Sequence, residues 1–256
     1  MKVVPIALNT FRESVRDRVL YNLILFVLLL VGASLLLGEL SMSQETKIIV
    51  DMGLSAMSIF GVLISIFIGI GLVYKEIDKR TIYSLLAKPI HRHEFILGKY
   101  FGLCFTLFVN TAVMAVAVAL ALLIKNGPSA LQWKILPAAY LIFLELMVVT
   151  AVALLFSSFS SPALSALLAF FLFVIGRFSA DLKLFADTVG SGAVKMFCQA
   201  LYYALPNLAN FNYIRETAHG QVASGRMIGA ATVYAALYIT VLLSATVVIF
   251  QRRNFK

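Results

Sequence analysis

The sequence predicts an all-α polytopic membrane protein with six transmembrane helices. Three observations carry this. Of the 256 residues, 61% are hydrophobic. Only 13% are charged, against about 25% in an ordinary soluble domain. The apolar residues also gather in runs long enough to cross a bilayer, and the mean hydropathy is +0.96. A soluble fold of this size must keep much of its surface in water, and this composition has too few polar residues to cover it. That excludes a cytosolic enzyme and a disordered tail. Cys104 and Cys198 are too few and too far apart for a disulfide framework or a zinc cluster. A net charge of +9 in so apolar a chain points to the inner face of a membrane rather than to nucleic acid.

A hydrocarbon core of about 30 Å needs about 20 apolar residues as helix. Residues 19–37, 54–74, 101–124, 135–156 and 228–250 meet that requirement with few or no charges. A further stretch, 163–176, is shorter and is followed by Arg177. Snorkelling of Arg177 to the interface would extend it to a span over 162–180. The whole chain, 1–256, then forms a single transmembrane domain.

Orientation follows from the basic residues beside the spans. Lys2, Arg12, Arg16 and Arg18 precede span 1. Lys75, Lys79, Arg80, Lys88, Arg92 and Lys99 lie between spans 2 and 3. Arg252, Arg253 and Lys256 follow span 6. These three regions share one side and hold most of the 21 basic residues, so both termini are expected in the cytoplasm. The basic segment before the first apolar run is longer than the head of a signal peptide, and the run itself is long enough to span, so cleavage is not expected.

Within residues 5–18, Leu8, Phe11, Val15 and Val19 recur at helical spacing, with Asn9, Arg12, Glu13, Arg16 and Asp17 on the other face. The pattern reads as an amphipathic helix in the cytoplasmic interface; the plainer reading is a basic flank that retains span 1. In span 2, Gly61, Ser65 and Gly69 fall on one face and permit close helix approach. Ordinary packing within the chain explains them, and a dimer seam or a face lining a pathway remains open. Glu145 is an acidic residue deep in span 4. It is either packing glue, paired with a polar residue of span 2 or 3 such as Asn110, or part of a wet path.

The loop 75–99 has a definite pattern. Thr81 can cap a short helix whose apolar face is Ile82, Leu85 and Leu86, and Pro89 stops it. Such an element on the cytoplasmic side suits docking into a groove of a soluble partner. His91 and His93 do not share a helix face, and nothing completes a metal site. Residues 181–227 are expected outside, with Val194, Phe197, Leu201, Ala204 and Leu205 at helical spacing before Pro206, beside Tyr202 and Tyr203, as in helices of the membrane interface.

The stretch E-x-x-x-R-T-I-x-x-L-L-A-K-P-I-x-R-x-E-F-I-L-G-K, from Glu76 to Lys99, resembles the cytoplasmic loop of ABC-2-type transporter permeases. The resemblance extends to the basic N-terminal helix, the six spans and L-P-N-L-A-N-F-N at Leu205–Asn212. It is greatest for the bacterial permeases of nitrous-oxide-reductase maturation and of gliding motility. It implies a permease subunit in the bacterial inner membrane that pairs with a second copy as a homodimer. Two copies of an ATP-binding subunit would carry ATP and Mg, this chain would hold no cofactor, and a periplasmic or accessory protein would join them. Arg12, Glu13 and Arg16 then belong to an elbow helix, and Glu76, Arg80, Thr81, Leu85 and Leu86 to a coupling helix, with 157–161 as a minor second contact. In this family spans 2 and 5 flank the dimer axis and the path. With Glu145, this implies interest in Ser58, Ser65, Ser165 and Phe173. Short helices over 181–227 would roof the path.

The nucleotide-binding pattern G-x-x-x-x-G-K-[ST] is absent, since Gly98-Lys99 is followed by Tyr100 and lacks the upstream glycine. With the resemblance, this implies a subunit that exports or extrudes its substrate with ATP hydrolysed by a separate chain, and not an enzyme; spans lined by Leu, Ile, Val and Phe suit a lipid-like or amphipathic cargo. A passive channel or lipid scramblase is the alternative, but it leaves the loop pattern unexplained. An intramembrane enzyme lacks a catalytic partner for Glu145.

Overall fold

The computed structural model describes residues 3–16, 21, 24–25, 28–29, 31–33, 44–78, 92–128, 131–179, 184–185, 188 and 192–252. These residues are helical apart from short turns and contain no strand. In chain order the helices are α1 (Val3–Val15), α2 (Glu45–Asp78), α3 (Arg92–Asn126), α4 (Leu131–Ser157) and α5 (Pro162–Arg177). They continue with α6 (Gly192–Ala204), a short 3-10 turn (Leu208–Phe211), α7 (Ile214–Ala218) and α8 (Gly225–Arg252).

Among the described residues, four segments are long and apolar enough to cross a membrane: Glu45–Gly71, His93–Asn126, Gln132–Ser157 and Gly225–Phe250. The expected spans 3, 4 and 6 fall within them; span 2 does so up to Gly71, and α2 continues beyond as helix. Expected span 1 falls mostly outside the described residues; within it Val31 is buried and Ile24 packs on the core. The helix in place of span 5 is shorter. With 16 residues, α5 is about 24 Å long at 1.5 Å per residue, less than the bilayer's hydrocarbon core. Pro162 opens it at a position where its missing N–H has no intrahelical partner to lose.

The bundle is built on α2 and α4. Their spanning windows are each 72% buried, against 44% for α3 and 28% for α8, so α3 and α8 present the broad apolar faces. Glycines set the close approaches. A Cβ placed on Gly53 would lie 2.6 Å from Val118 Cγ2, and one on Gly61 would lie 2.6 Å from Leu146 Cδ1. Small residues at such crossings let backbones approach and gain dispersion contacts that lipid cannot offer. One end of the bundle is tied by polar contacts: Glu45 to Lys125 at 3.2 Å, and Asn126 Nδ2 donating to Thr46 Oγ1 at 2.9 Å. At the opposite end the rings of Phe95 and Phe250 stack at 6.0 Å.

At that second end α1 packs along the first turns of α3. A Cβ on Gly98 would meet Ile6 Cγ2 at 2.6 Å, and one on Gly102 would meet the Ala7 carbonyl oxygen and Thr10 Cβ at 2.6 Å. Phe11 meets Phe105 edge to face at 4.5 Å. The buried face of α1 includes Thr10 and Ser14, both fully buried. It is offset from the stripe through Leu8, which is 50% exposed. The reason is the strip made by Gly98 and Gly102, which seats Ile6, Ala7 and Thr10 and so turns that side of α1 onto α3. Val19 of that stripe lies outside the described residues.

Candidate functional site

Four elements bring polar side chains to one place in the bundle. Ser58 comes from the buried face of α2, Glu145 from the middle of α4, Arg177 from the last residue of α5, and Asn212 from the residue after the 3-10 turn. Arg177 Nη1 donates to both carboxylate oxygens of Glu145, at 2.5 and 2.7 Å, and to Ser58 Oγ at 3.1 Å. Ser58 Oγ–H donates to Glu145 Oε2 at 3.2 Å. Arg177 Nη2 donates to Asn212 Oδ1 at 3.2 Å. The Glu145 side chain is 0% exposed and that of Arg177 18%.

This arrangement corrects one expectation and narrows another. Arg177 does not snorkel to the interface. Its helix ends too soon for that, and Glu145 at the same level offers a partner. An isolated charge at membrane depth costs a few kcal/mol on insertion scales, and pairing removes most of the reason to leave. Glu145 does meet a polar residue of span 2, as expected, but that residue is Ser58 and not Asn110. Asn110 Nδ2 is buried with no partner among the described residues, while Glu145 is held by Arg177 and Ser58. The planar guanidinium can serve Glu145 and Asn212 at once because its donors diverge in a fixed fork.

A second polar cluster lies next to the first. Ser179 Oγ–H donates to Asn207 Oδ1 at 2.6 Å, Asn207 Nδ2 donates to Tyr202 Oη at 3.3 Å, and the Asn207 backbone N–H donates to Tyr234 Oη of α8 at 2.8 Å. Between the clusters α5 and the following segment meet without an intervening side chain. A Cβ on Gly176 would lie 2.7 Å from the Pro206 carbonyl oxygen and 3.0 Å from Leu208 Cγ. The sequence motif Leu205–Asn212 thus supplies both asparagines.

The other residues singled out from sequence do not converge on this place. Ser65 is buried and donates to the Gly61 carbonyl of its own helix at 2.9 Å. Ser165 is buried beside Ser160, with the hydroxyls 2.7 Å apart, at the start of α5. Phe173 is partly buried against the core. Gly61 seats Leu146 of α4, whereas Gly69 has only ordinary contacts, the nearest being Ala153 Cβ at 3.7 Å. Glu13 Oε2 lies 3.8 Å from Lys99 Nζ, and Arg12 and Arg16 are exposed. Glu76 belongs to the last turns of α2. Arg80, Thr81, Leu85 and Leu86 lie outside the described residues. Cys104 and Cys198 are both free thiols and buried. Among the described residues no group of His, Cys, Asp or Glu is placed to hold a metal ion.

Sequence reasoning missed Arg177 and Asn212 as partners, and Gly98 and Gly102 as the seat of α1. One signal could have found the first pair: an acid within one apolar run and a base at the end of the next are best placed against each other. Comparison with known families gives a match over nearly the whole length, with residues 4–255 fitted by the model of a family described as ABC-2 family transporter protein. A search of curated proteins gave no significant match.

Proposed function

The chain belongs to the ABC-2 family of transporter proteins, and from that membership we propose that it exports or extrudes a lipid-like or amphipathic substrate with ATP hydrolysed on a separate subunit. It is a membrane permease of an ABC transporter, and its family implies an ATP-binding-cassette partner. The observation that carries the reading is the family match from residue 4 to 255 over a chain whose described residues include four long helices apolar enough to span a bilayer.

Both termini face the cytoplasm of a bacterial inner membrane, as the clusters of basic residues support. Two copies form a homodimer with two ATP-binding chains, which hold ATP and Mg. The segment from Glu76 through Arg80, Thr81, Leu85 and Leu86 is the coupling element, supported by a sequence that sets a capping residue type at Thr81, apolar residues at helical spacing after it and Pro89 beyond. Arg12 and Arg16, exposed on α1, form a second contact for the same partner. Ser58 and Glu145 border the path. The apolar spans support an amphipathic cargo.

The test is co-purification in mild detergent followed by mass spectrometry, with ATPase activity measured in the recovered complex. An ATP-binding-cassette protein is expected with the permease, stimulated by it. Reversing the charges of Glu76 and Arg80 should abolish the stimulation while membrane insertion persists. Normal stimulation in those variants would overturn the coupling assignment. Recovery of the permease with no ATPase would restore the passive channel or scramblase.

A further inference from the structure

We infer that Arg177 is a positioning residue with two separate tasks. One arm anchors it to Glu145 in the core, and the other, through Asn212, holds residues 208–218 as a lid against the end of the bundle opposite α1. The lid packs on α2 and α4. Leu208 and Phe211 are fully buried, Thr217 is 1% exposed and Ile214 5%. Beyond it, Lys134 Nζ donates to the Gly220 carbonyl at 3.5 Å, which places the far edge at the start of α4.

Its fastenings are unequal. Before the lid, Asn207 is tied to Ser179, Tyr202 and Tyr234, and Gly176 lets α5 press on Pro206. That side is a fixed hinge. Within residues 208–218, the one side-chain hydrogen bond to another element among the described residues is the bond from Arg177 to Asn212. The rest of the contact is apolar and directionless. A single charge-assisted bond within an otherwise apolar flap makes a catch. It leans on Glu145, because only the paired guanidinium stays in place at this depth.

The test uses the full-length permease without nucleotide or partner, so its outcome is independent of the ATPase assignment. Thr217→Cys, in a background with Cys104→Ala and Cys198→Ala, reports opening through its rate of reaction with a water-soluble maleimide. Asn212→Ala is expected to raise that rate about tenfold, the effect of losing one hydrogen bond to a charged group, and Asn212→Asp to return it to the parent value. Arg177→Lys keeps a charge for Glu145 but loses the fork, so it should match Asn212→Ala, and the two together should do no more than either. A rate within twofold of the parent for Asn212→Ala, or effects that multiply, overturns the catch. If Arg177→Lys fails to fold, the Asn212 pair decides the question without it.

Discussion

Arg177 and Glu145 meet inside the membrane domain with one guanidinium nitrogen donating to both carboxylate oxygens, at 2.5 and 2.7 Å. The acid is on α4 and the base closes α5, so the contact joins a long buried helix to a short one. Removing one member of a buried pair leaves the other uncompensated, at a cost of about 3–5 kcal/mol. Arg177→Gln and Glu145→Gln should each lower the thermal midpoint of the detergent-solubilised protein. The double substitution should lose clearly less than the two losses combined. Strict additivity would show that the residues do not act as a pair.

The contact of α1 with α3 depends on two missing side chains. Gly102→Ala would put a methyl 2.6 Å from a backbone carbonyl oxygen and from Thr10 Cβ, neither of which is a flexible chain end. We expect α1 to be displaced at about 1–3 kcal/mol, the range for overpacking, and its amides to exchange faster with deuterium. Gly71→Ala, where the added methyl meets nothing within 4 Å, is the control and should leave α1 unchanged.

Gly61 faces a softer neighbour. Its added methyl would meet the two terminal carbons of Leu146 at 2.6 and 2.9 Å. Gly61→Ala should therefore destabilise by about 1–3 kcal/mol, and Leu146→Ala by about 2–5 kcal/mol through its cavity. Combined, the new methyl occupies part of the vacated space, and denaturation should show less than the sum. A combined loss equal to the sum would remove Gly61 from the α2–α4 packing and return it to a surface role.

Glu13 and Arg12 are neighbours with different surroundings. Glu13 lies 3.8 Å from Lys99, whose side chain is 2% exposed, while Glu13 itself is 38% exposed. Lys99 Nζ also lies 5.8 Å from the centroid of the Phe95 ring. Glu13→Gln should destabilise the seat of α1 measurably in a melting experiment. Arg12→Gln, at an exposed position, should stay within about 0.5 kcal/mol. Equal effects would contradict the assignment of Glu13 to packing.

Legibility varied with the range of the interaction. The helices containing Gln132–Ser157 and Gly225–Phe250 were plain in the sequence, because hydropathy over a window is a local sum and the bilayer sets its length. Their ends were less so: α2 begins at Glu45, ahead of the apolar run, since helix can extend beyond the hydrocarbon into polar sequence. A helix is expected over residues 5–18 and α1 covers Val3–Val15; Phe11 of the expected stripe packs on Phe105, but the buried face is shifted to Thr10 and Ser14. Helical spacing identifies the apolar side, while Gly98 and Gly102 select the side that carries Ile6, Ala7 and Thr10. At the site, Ser58 and Glu145 were both singled out and do touch, yet their partner Arg177 was assigned to the interface.

The sequence by itself determined membrane residence, helical class and family, because each is written in composition, in runs of apolar residues or in a contiguous motif. Tertiary structure alone decided where the rare charges go. Arg177 could reach water or Glu145, and its own segment does not distinguish them. The choice follows from how far α5 rises, from the level of Glu145 on α4, and from Asn212 returning to the same place. Those are relations between residues distant in the chain, and only packing brings them within hydrogen-bonding range.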